Sequence, residues 1–544
     1  MNILISSTSF IMPKHNSWNS LQKKNKLKFA EYGNLFSNNL SKNEDLEIKI
    51  LFLNDIIDYY SESKKDLSKN ILRLKNIAKS FQKNFLSNRK YIICISSYQF
   101  INIVNFSQSE DRVENLKKIF LEELKKRREN YKNIFLVDLD KIFSIEGYKK
   151  IFDARNYELF RSRLSLFGIE ILSNNLQKLI DRISKTNKKV LLLDCDNTLW
   201  GGVIGEDGIE NIKIGQDGIG NSFKNFQKAI KKIQGSGILL AVISKNNEKD
   251  VKNVFKLHKE MVLKEKDIIN FKINWKDKSK NIVDISNELN LSLDSFVVWD
   301  DNPLERKKIR INCKEVEVIE PAENVSDWSN QLLETTGLTK FNLTKEDKDK
   351  THQYHQRAKF VSDKEISKNE LSYLKSIKIK PKVIEIDKDN ISRAQQLCEK
   401  TNQFNTTFKR YSLSEIKKIK QKDFIKLVSL KDLYGDHGIV GLIHYQNDKK
   451  NKNIKIVLFL LSCRILGRYL ENWILNFILK EGKKKRFENV IISYTKGLKN
   501  SLALDFIKKN KFKLEKKKRS KNKKNYFEYI RPININVENL NIYE

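Results

Sequence analysis

Short apolar runs closed by polar clusters recur along the chain, alternating with stretches in which apolar residues return every three or four positions. The first pattern predicts buried strands and the second amphipathic helices. From the amino terminus the strands are Ile3–Ser6, Ile48–Leu53, Tyr91–Ser96 and Ile134–Val137, then Val190–Leu193, Ile238–Ser244 and Phe296–Asp301. Helices over Phe223–Ile233 and Ile282–Leu289 separate the last three. Such β-α-β repetition predicts layered α/β domains with parallel sheets. A polar helical linker, Thr344–Asp363, opens the final third. Two helices follow, then strands Phe424–Leu430, Ile439–Tyr445 and Ile454–Leu461, helix Arg468–Leu479, strand Val490–Tyr494 and helix Lys499–Lys509. The lysine run Lys516–Lys524 lies between apolar Phe512–Leu514 and Tyr526–Ile530 and reads as a solvated hairpin loop.

At 544 residues the chain is too long for one ordinary core. Three domains are expected, over 1–183, 184–342 and 343–544. Hydrophobic residues make up 40%, which supports packed cores over disorder. A net charge of +36 invites a nucleic-acid reading. Against it, the lysines are spread along the whole chain and no nucleic-acid module is recognisable, so a lysine-favouring composition is the better account. A basic surface still attracts acidic substrates or an acidic carrier. The cysteines, Cys94, Cys195, Cys313, Cys398 and Cys463, stand far apart with no C-x-x-C pair. Neither a zinc site nor a disulfide framework follows, and a reducing cytoplasm is expected. The opening MNILISSTSF reads as a first strand instead of a signal peptide, and Ile454–Cys463 is too short to span a membrane.

The chemistry concentrates in LLLDCDNTLWGGVIGEDG, Leu191–Gly208. An apolar strand here delivers Asp194 and Asp196 to the carboxyl edge of a sheet, where open α/β folds bind ligands. Two such acids side by side repel unless a cation or a shared proton intervenes. Mg²⁺ with a phosphorylated substrate answers that need, because Mg²⁺ takes one or two carboxylates plus phosphate oxygens. The next two strands also end in suitable groups, Ser244 with Lys245 and Asn246, then Asp300 and Asp301. Lys278 enters a helix between them. In the amino-terminal region Ser6, Ser7 and Ser9 follow the first strand, but His15 is the only nearby histidine. A docking role suits that region better than a serine–histidine hydrolase.

The order of these strand ends resembles the haloacid dehalogenase (HAD) superfamily. DCDNTLWGGVIGEDG, VISKNN, NWKDKSKNI and WDDNPLER are similar to its FkbH-like branch, the HAD IIIC phosphatase group. TNQFNTTFKRYS, YGDHGIVG and SCRILGR resemble that branch's carboxyl-terminal half, which has a GNAT acyltransferase fold. A flavodoxin-like or SGNH-hydrolase-like domain is expected at the amino terminus.

The resemblance implies that Asp194 is the phosphoryl-accepting nucleophile and Asp196 the general acid and base. Thr198, Ser244, Lys245 and Asn246 would serve phosphate, and Lys278 would offset its charge. Mg²⁺ would be bound by Asp194, the Asp196 carbonyl and an acid from Asp300–Asp301. It further implies a three-carbon acyl phosphate of the 1,3-bisphosphoglycerate type, whose glyceryl unit passes to an acyl carrier protein thiol. Such chemistry belongs to polyketide or surface-polysaccharide biosynthesis.

Cys195 is then either the residue that holds the acyl unit or a packed core thiol, with Cys463 as a second candidate acceptor. In the GNAT-like part Arg464, Gly467 and Arg468 stand where a glycine loop would hold acyl-CoA or a carrier's phosphopantetheine, but Tyr469 takes the place of a small residue. Alternatives are a plain Mg²⁺-dependent phosphatase with a vestigial GNAT domain, an acyltransferase for a sugar precursor, or a non-enzymatic nucleic-acid scaffold.

Overall fold

The computed structural model describes residues 1–35, 44–57, 64–85, 89–97, 111–126, 133–184, 187–338, 350–367, 369–497, 500–519 and 525–543. It divides into two compact units, Met1–Lys185 and Thr186–Glu544.

In the first unit β1 (Asn2–Ser7), β2 (Lys26–Phe29), β3 (Leu46–Phe52), β4 (Lys90–Ser96) and β5 (Ile134–Asp138) form a wholly parallel sheet in the order β2-β1-β3-β4-β5. That is the flavodoxin-like winding. Alternate strand residues enter separate cores: Ile48, Ile50 and Ile92 pack with the helix Leu166–Ser184, whereas Leu51, Ile93 and Ile95 pack with Leu74, Phe81 and Phe120. A sheet covered on both faces explains why its central strands are buried almost throughout, and the two charges within β3, Glu47 and Lys49, are buried as an ion pair at 2.6 Å. His15 hydrogen-bonds Ser17 and caps a short turn, while Ser9 bonds the backbone of Arg161 and Arg163. Among the described residues His15 pairs with none of Ser6, Ser7 and Ser9.

The second unit carries two sheets. The first comprises β6 (Val190–Leu193), β7 (Leu239–Ser244), β8 (Ile268–Ile273), β9 (Phe296–Trp299) and β10 (Glu317–Val318), all parallel, in the order β10-β9-β6-β7-β8. Leu191 and Leu193 of β6 face Phe226, Trp299 and Trp328; Val190 and Leu192 face Ile282, Ile285 and Leu289.

The second sheet runs β11 (Lys380–Glu385), β13 (Phe424–Asp432), β14 (Gly435–Asp448), β15 (Asn453–Leu461), β16 (Asn489–Thr495), β18 (Asn525–Pro532), β17 (Lys513–Arg519). All its pairings are antiparallel except β15 with β16. Those two pair only over Asn453–Ile456 and then diverge. The divergence is filled from within: β12 (Phe404–Asn405) pairs with Leu460 and Leu461, and Thr406 bridges Phe459 and Thr495.

A helix, Lys350–Ile366, joins the two sheets of this unit. Its Tyr354 is buried in the core beneath β6 and β9, and Lys350 donates to the Gly237 carbonyl. Its Arg357 donates to the Arg464 carbonyl, and its Phe360 lies under the Arg468 guanidinium at 3.7 Å.

The lysine run differs from expectation. Lys516–Arg519 belongs to β17, with Lys516 opposite Glu528, and residues 520–524 lie outside the described residues. Lysines suit an edge strand because their charge discourages further pairing. The start of the predicted linker, 344–349, and Lys499 also lie outside the described residues. Among the described residues, no helix is long and apolar enough to cross a membrane.

Candidate phosphoryl-transfer site

Asp194 follows β6 directly, and β9 ends into Asp300 and Asp301, so adjacent parallel strands bring three acids to one edge. Their nearest carboxylate oxygens all lie within 4.8 Å of one another. The helix Lys278–Leu289 supplies the counter-charge. Asp277 caps it by accepting from the Ser279 amide at 2.7 Å, which sets Lys278 at the first helical position. Lys278 Nζ lies 3.0 Å from Asp194 Oδ1 and 2.6 Å from Asp300 Oδ2. Burial alone would lower its pKa, but the two acids outweigh that and raise it.

One ammonium does not balance three carboxylates. Burial raises the pKa of Asp194 despite Lys278, and burial with the Asp194 charge raises that of Asp300. Asp301 is raised by burial and by Asp300, against a hydrogen bond from Thr198. Excess negative charge on hard oxygen donors is what a divalent cation such as Mg²⁺ neutralises, so these residues fit the ion. Asp196 offers no carboxylate oxygen to the cluster. Its Oδ1 accepts from the Trp200 indole at 3.0 Å and the Ile204 amide at 3.1 Å, and its Oδ2 from Asn246 at 2.8 Å. The WGG segment therefore serves Asp196: Asn197 and Gly202 adopt positive φ, and the loop returns Ile204 to the carboxylate.

The remaining expected phosphate groups are engaged with neighbouring side chains of the protein. Thr198 donates to Asp301 at 3.1 Å. Ser244 is buried beside Asn246. Lys245 pairs with Glu305 at 2.9 Å. Cys195 is fully buried in the apolar cluster with Leu199 and Trp200, and burial, then Asp194 and Asp196, push its thiol pKa well up. That is a core thiol's setting, held in the protonated, poorly nucleophilic form. Cys463 differs: burial opposes ionisation, yet Lys189, the Tyr354 hydroxyl, Arg357 and Arg464 outweigh it and lower the pKa.

Arg306 escapes notice in the sequence. It donates to the Asp300 carbonyl at 2.8 Å and the Asp301 carbonyl at 2.5 Å, and Glu320 holds its other side at 2.8 Å. It fixes the backbone that aims both acids. Its place in DDNPLER is the only signal the sequence offers.

Comparison with solved structures bears on this site. The N-terminal part of the protein BF1531 from Bacteroides fragilis, described as containing a phosphatase domain complexed with Mg, is 28% identical over 61% of this chain and 93% of its own, with a TM-score of 0.51. Further matches fall on smaller shares of the chain. The ribosomal-protein-S18-alanine N-acetyltransferase from Escherichia coli covers 29% of this chain and 98% of its own at 10% identity and a TM-score of 0.23. Ard1 from Thermoplasma volcanium covers 28% and 97% at 13% identity and a TM-score of 0.23. No protein-family model matches the chain, and no curated protein does.

In the mixed-sheet part the expected glycine loop is built differently from a pyrophosphate cradle. Arg464 is turned inward, donating to Gln353 at 2.5 Å and to the His437 carbonyl at 2.6 Å. Arg468 is fully buried, donates to Asp432 at 2.7 Å and stacks on Phe360. Gly467 has the positive φ expected of a loop glycine, but Tyr469 takes the left-handed position that begins the helix Leu470–Lys484. With the β15–β16 divergence filled as well, these residues do not fit the pyrophosphate and arm of acyl-CoA or phosphopantetheine.

Proposed function

We propose that this chain is an Mg²⁺-dependent phosphoryl-transfer enzyme that releases phosphate from a small phosphorylated substrate. The observation that carries the reading is the triad Asp194, Asp300 and Asp301 around buried Lys278, at the carboxyl edge of a parallel sheet. The likeness to a Mg-bound phosphatase domain supports it. Asp194 carboxylate attacks phosphorus, and the leaving oxygen takes a proton from Asp196. Asp196 then removes a proton from water, which attacks phosphorus and restores Asp194. Trp200, Ile204 and Asn246 keep the Asp196 carboxyl in one plane for both transfers. Lys278 steadies the nucleophile between turnovers and meets negative charge as it builds on the phosphoryl group. Mg²⁺ bound by the acids supplies charge neutralisation at the phosphoryl oxygens.

Within this reading the substrate is a three-carbon acyl phosphate of the 1,3-bisphosphoglycerate type: the Asp194 cycle hydrolyses its terminal phosphomonoester, and the thiolate of an acyl carrier protein attacks the acyl carbon, forming the thioester C–S bond as the acyl C–O bond breaks and the second phosphate leaves. The burial of Cys195 favours direct transfer to the external acceptor, or to water, over a thioester on this residue. The test mixes the protein with 1,3-bisphosphoglycerate, Mg²⁺ and an acyl carrier protein, following free phosphate and the carrier's intact mass. Phosphate release that needs Mg²⁺ and vanishes in Asp194→Asn is expected. A glyceryl increment on the carrier supports the transfer; phosphate with an unmodified carrier leaves a phosphatase. No phosphate release overturns the reading.

A further inference from the structure

The sheet edge that carries Asp194 also presents two large apolar side chains to solvent. Of the six tryptophans in the chain, Trp18, Trp200, Trp299 and Trp328 are buried and Trp473 is half-buried, whereas Trp275 is 77% exposed. It stands three residues before Lys278, in the bend after β8, where the Asn274 amide donates to the Ser244 carbonyl. Leu304, 67% exposed, stands three residues after Asp301, in the first turn of the helix Pro303–Asn312, its amide donating to Asn302. The two segments share their charges. Lys245 and Lys308 both pair with Glu305, at 2.9 Å and 3.2 Å. The Asp277 pKa is lowered first by hydrogen bonds from Ser279 and then by the same two lysines.

Scattered exposed apolar residues are ordinary, but these two flank the segments that supply Lys278 and Asp301 to one site. A three-carbon acyl phosphate has no apolar surface to offer an indole or a leucine, so the small substrate gives them no partner. The surrounding charge identifies one. Every exposed charged residue of 274–280 and 302–308 is a lysine: Lys276, Lys280, Lys307 and Lys308. An aromatic anchor ringed by positive charge complements a protein surface on which acids surround an apolar residue. The anchor supplies contact energy, and the charges steer the encounter. Acyl transfer needs a visitor of that kind, because a carrier's thiolate must reach an acyl carbon held beside Asp194. We propose that Trp275 and Leu304, among the lysines of these two segments, form the surface on which an acidic acyl carrier protein docks. The proposal rests on the acyl-transfer reading and gives neither residue a part in the phosphoryl chemistry.

Anisotropy of a fluorescently labelled holo acyl carrier protein, titrated with the full chain, reads docking separately from phosphate release. The parent binds at one site per chain, and binding weakens severalfold as salt rises from about 0.05 to 0.3 M. Trp275→Gln with Leu304→Gln weakens binding about tenfold or more and raises the KM for carrier in glyceryl transfer to match. Phosphate release without carrier stays within about twofold of the parent. Lys276→Glu with Lys307→Glu, which keeps both apolar residues, also weakens binding and flattens its salt dependence. The proposal is overturned if the parent does not bind carrier, or if either double variant binds it as the parent does. It is also overturned if the apolar pair instead abolishes carrier-free phosphate release, or turns a self-associating parent into a monomer without changing carrier binding. Absence of phosphate release in the parent strikes the underlying reading alone; carrier binding lost in both variants still supports the surface.

Discussion

Replacing Lys278 by methionine tests the electrostatic argument at its centre. The ammonium sits 3.0 Å and 2.6 Å from two buried carboxylates. At an effective dielectric constant of about 20 each contact is worth roughly 6 kcal/mol before desolvation is charged against it. Removing one member of a buried ionic group costs about 3–5 kcal/mol, because the remaining charges lose their partner. The loss is expected in urea melts of the metal-free full chain, followed by tryptophan fluorescence, to which buried Trp299 and Trp328 contribute. Two further outcomes separate charge from packing. Lys278→Met with Asp300→Asn should recover a large part of the loss, since the second change removes a stranded acid. Mg²⁺ should narrow the deficit of the single variant, since the cation supplies the missing charge. A deficit below about 1 kcal/mol, or a double variant less stable than the single one, would refute the reasoning.

Metal-free stability should also depend on pH in a defined direction. Asp194, Asp300 and Asp301 have raised pKa values in the folded chain. The unfolded chain therefore releases these protons first, and stability is lost as pH rises from the ordinary carboxylate value toward the folded ones. Thermal melts from about pH 4 to 7 should show this slope relieved by Mg²⁺ and made shallower by Asp301→Asn; an unchanged slope counts against it. Arg306→Ala leaves two carbonyls without their donor and should raise the Mg²⁺ concentration needed for half-maximal phosphate release by about 10–100-fold, with Arg306→Lys intermediate. Cys195→Ala should cost about 1 kcal/mol of stability and keep phosphate release within about threefold; abolished release would return the thiol to the chemistry.

The acids and the lysine were legible because parallel strands are apolar to their ends, so the polar residue that terminates each run marks the functional edge. β6, β7 and β9 announce themselves in this way. β8 does not, since Asn270 and Lys272 interrupt its apolar residues. The sheet edge explains them: both side chains reach Glu288 on the neighbouring helix, Asn270 at 2.6 Å and Lys272 at 2.5 Å. β11, another edge strand, is half exposed and contains Pro381, which a central strand would exclude. β12 is only Phe404–Asn405, too short for any periodicity, yet it decides whether the neighbouring cleft is open. The loop arginines show the complementary limit. Sequence spacing placed Arg464 and Arg468 correctly beside Gly467, but their direction depends on Asp432, Gln353 and Phe360, which lie far away in the chain.

The helix Lys350–Ile366 has a consequence for how the second unit responds to ligands. Tyr354 is a core residue of one sheet, and Phe360, less than two turns later, is a core residue of the other. A rod embedded in two cores makes opening either of them costly to its neighbour, so residues 186–544 should melt in a single cooperative transition. Free energy of cation binding at Asp194 then becomes protection against exchange for amides in β14 and β15, strands that never touch the cation.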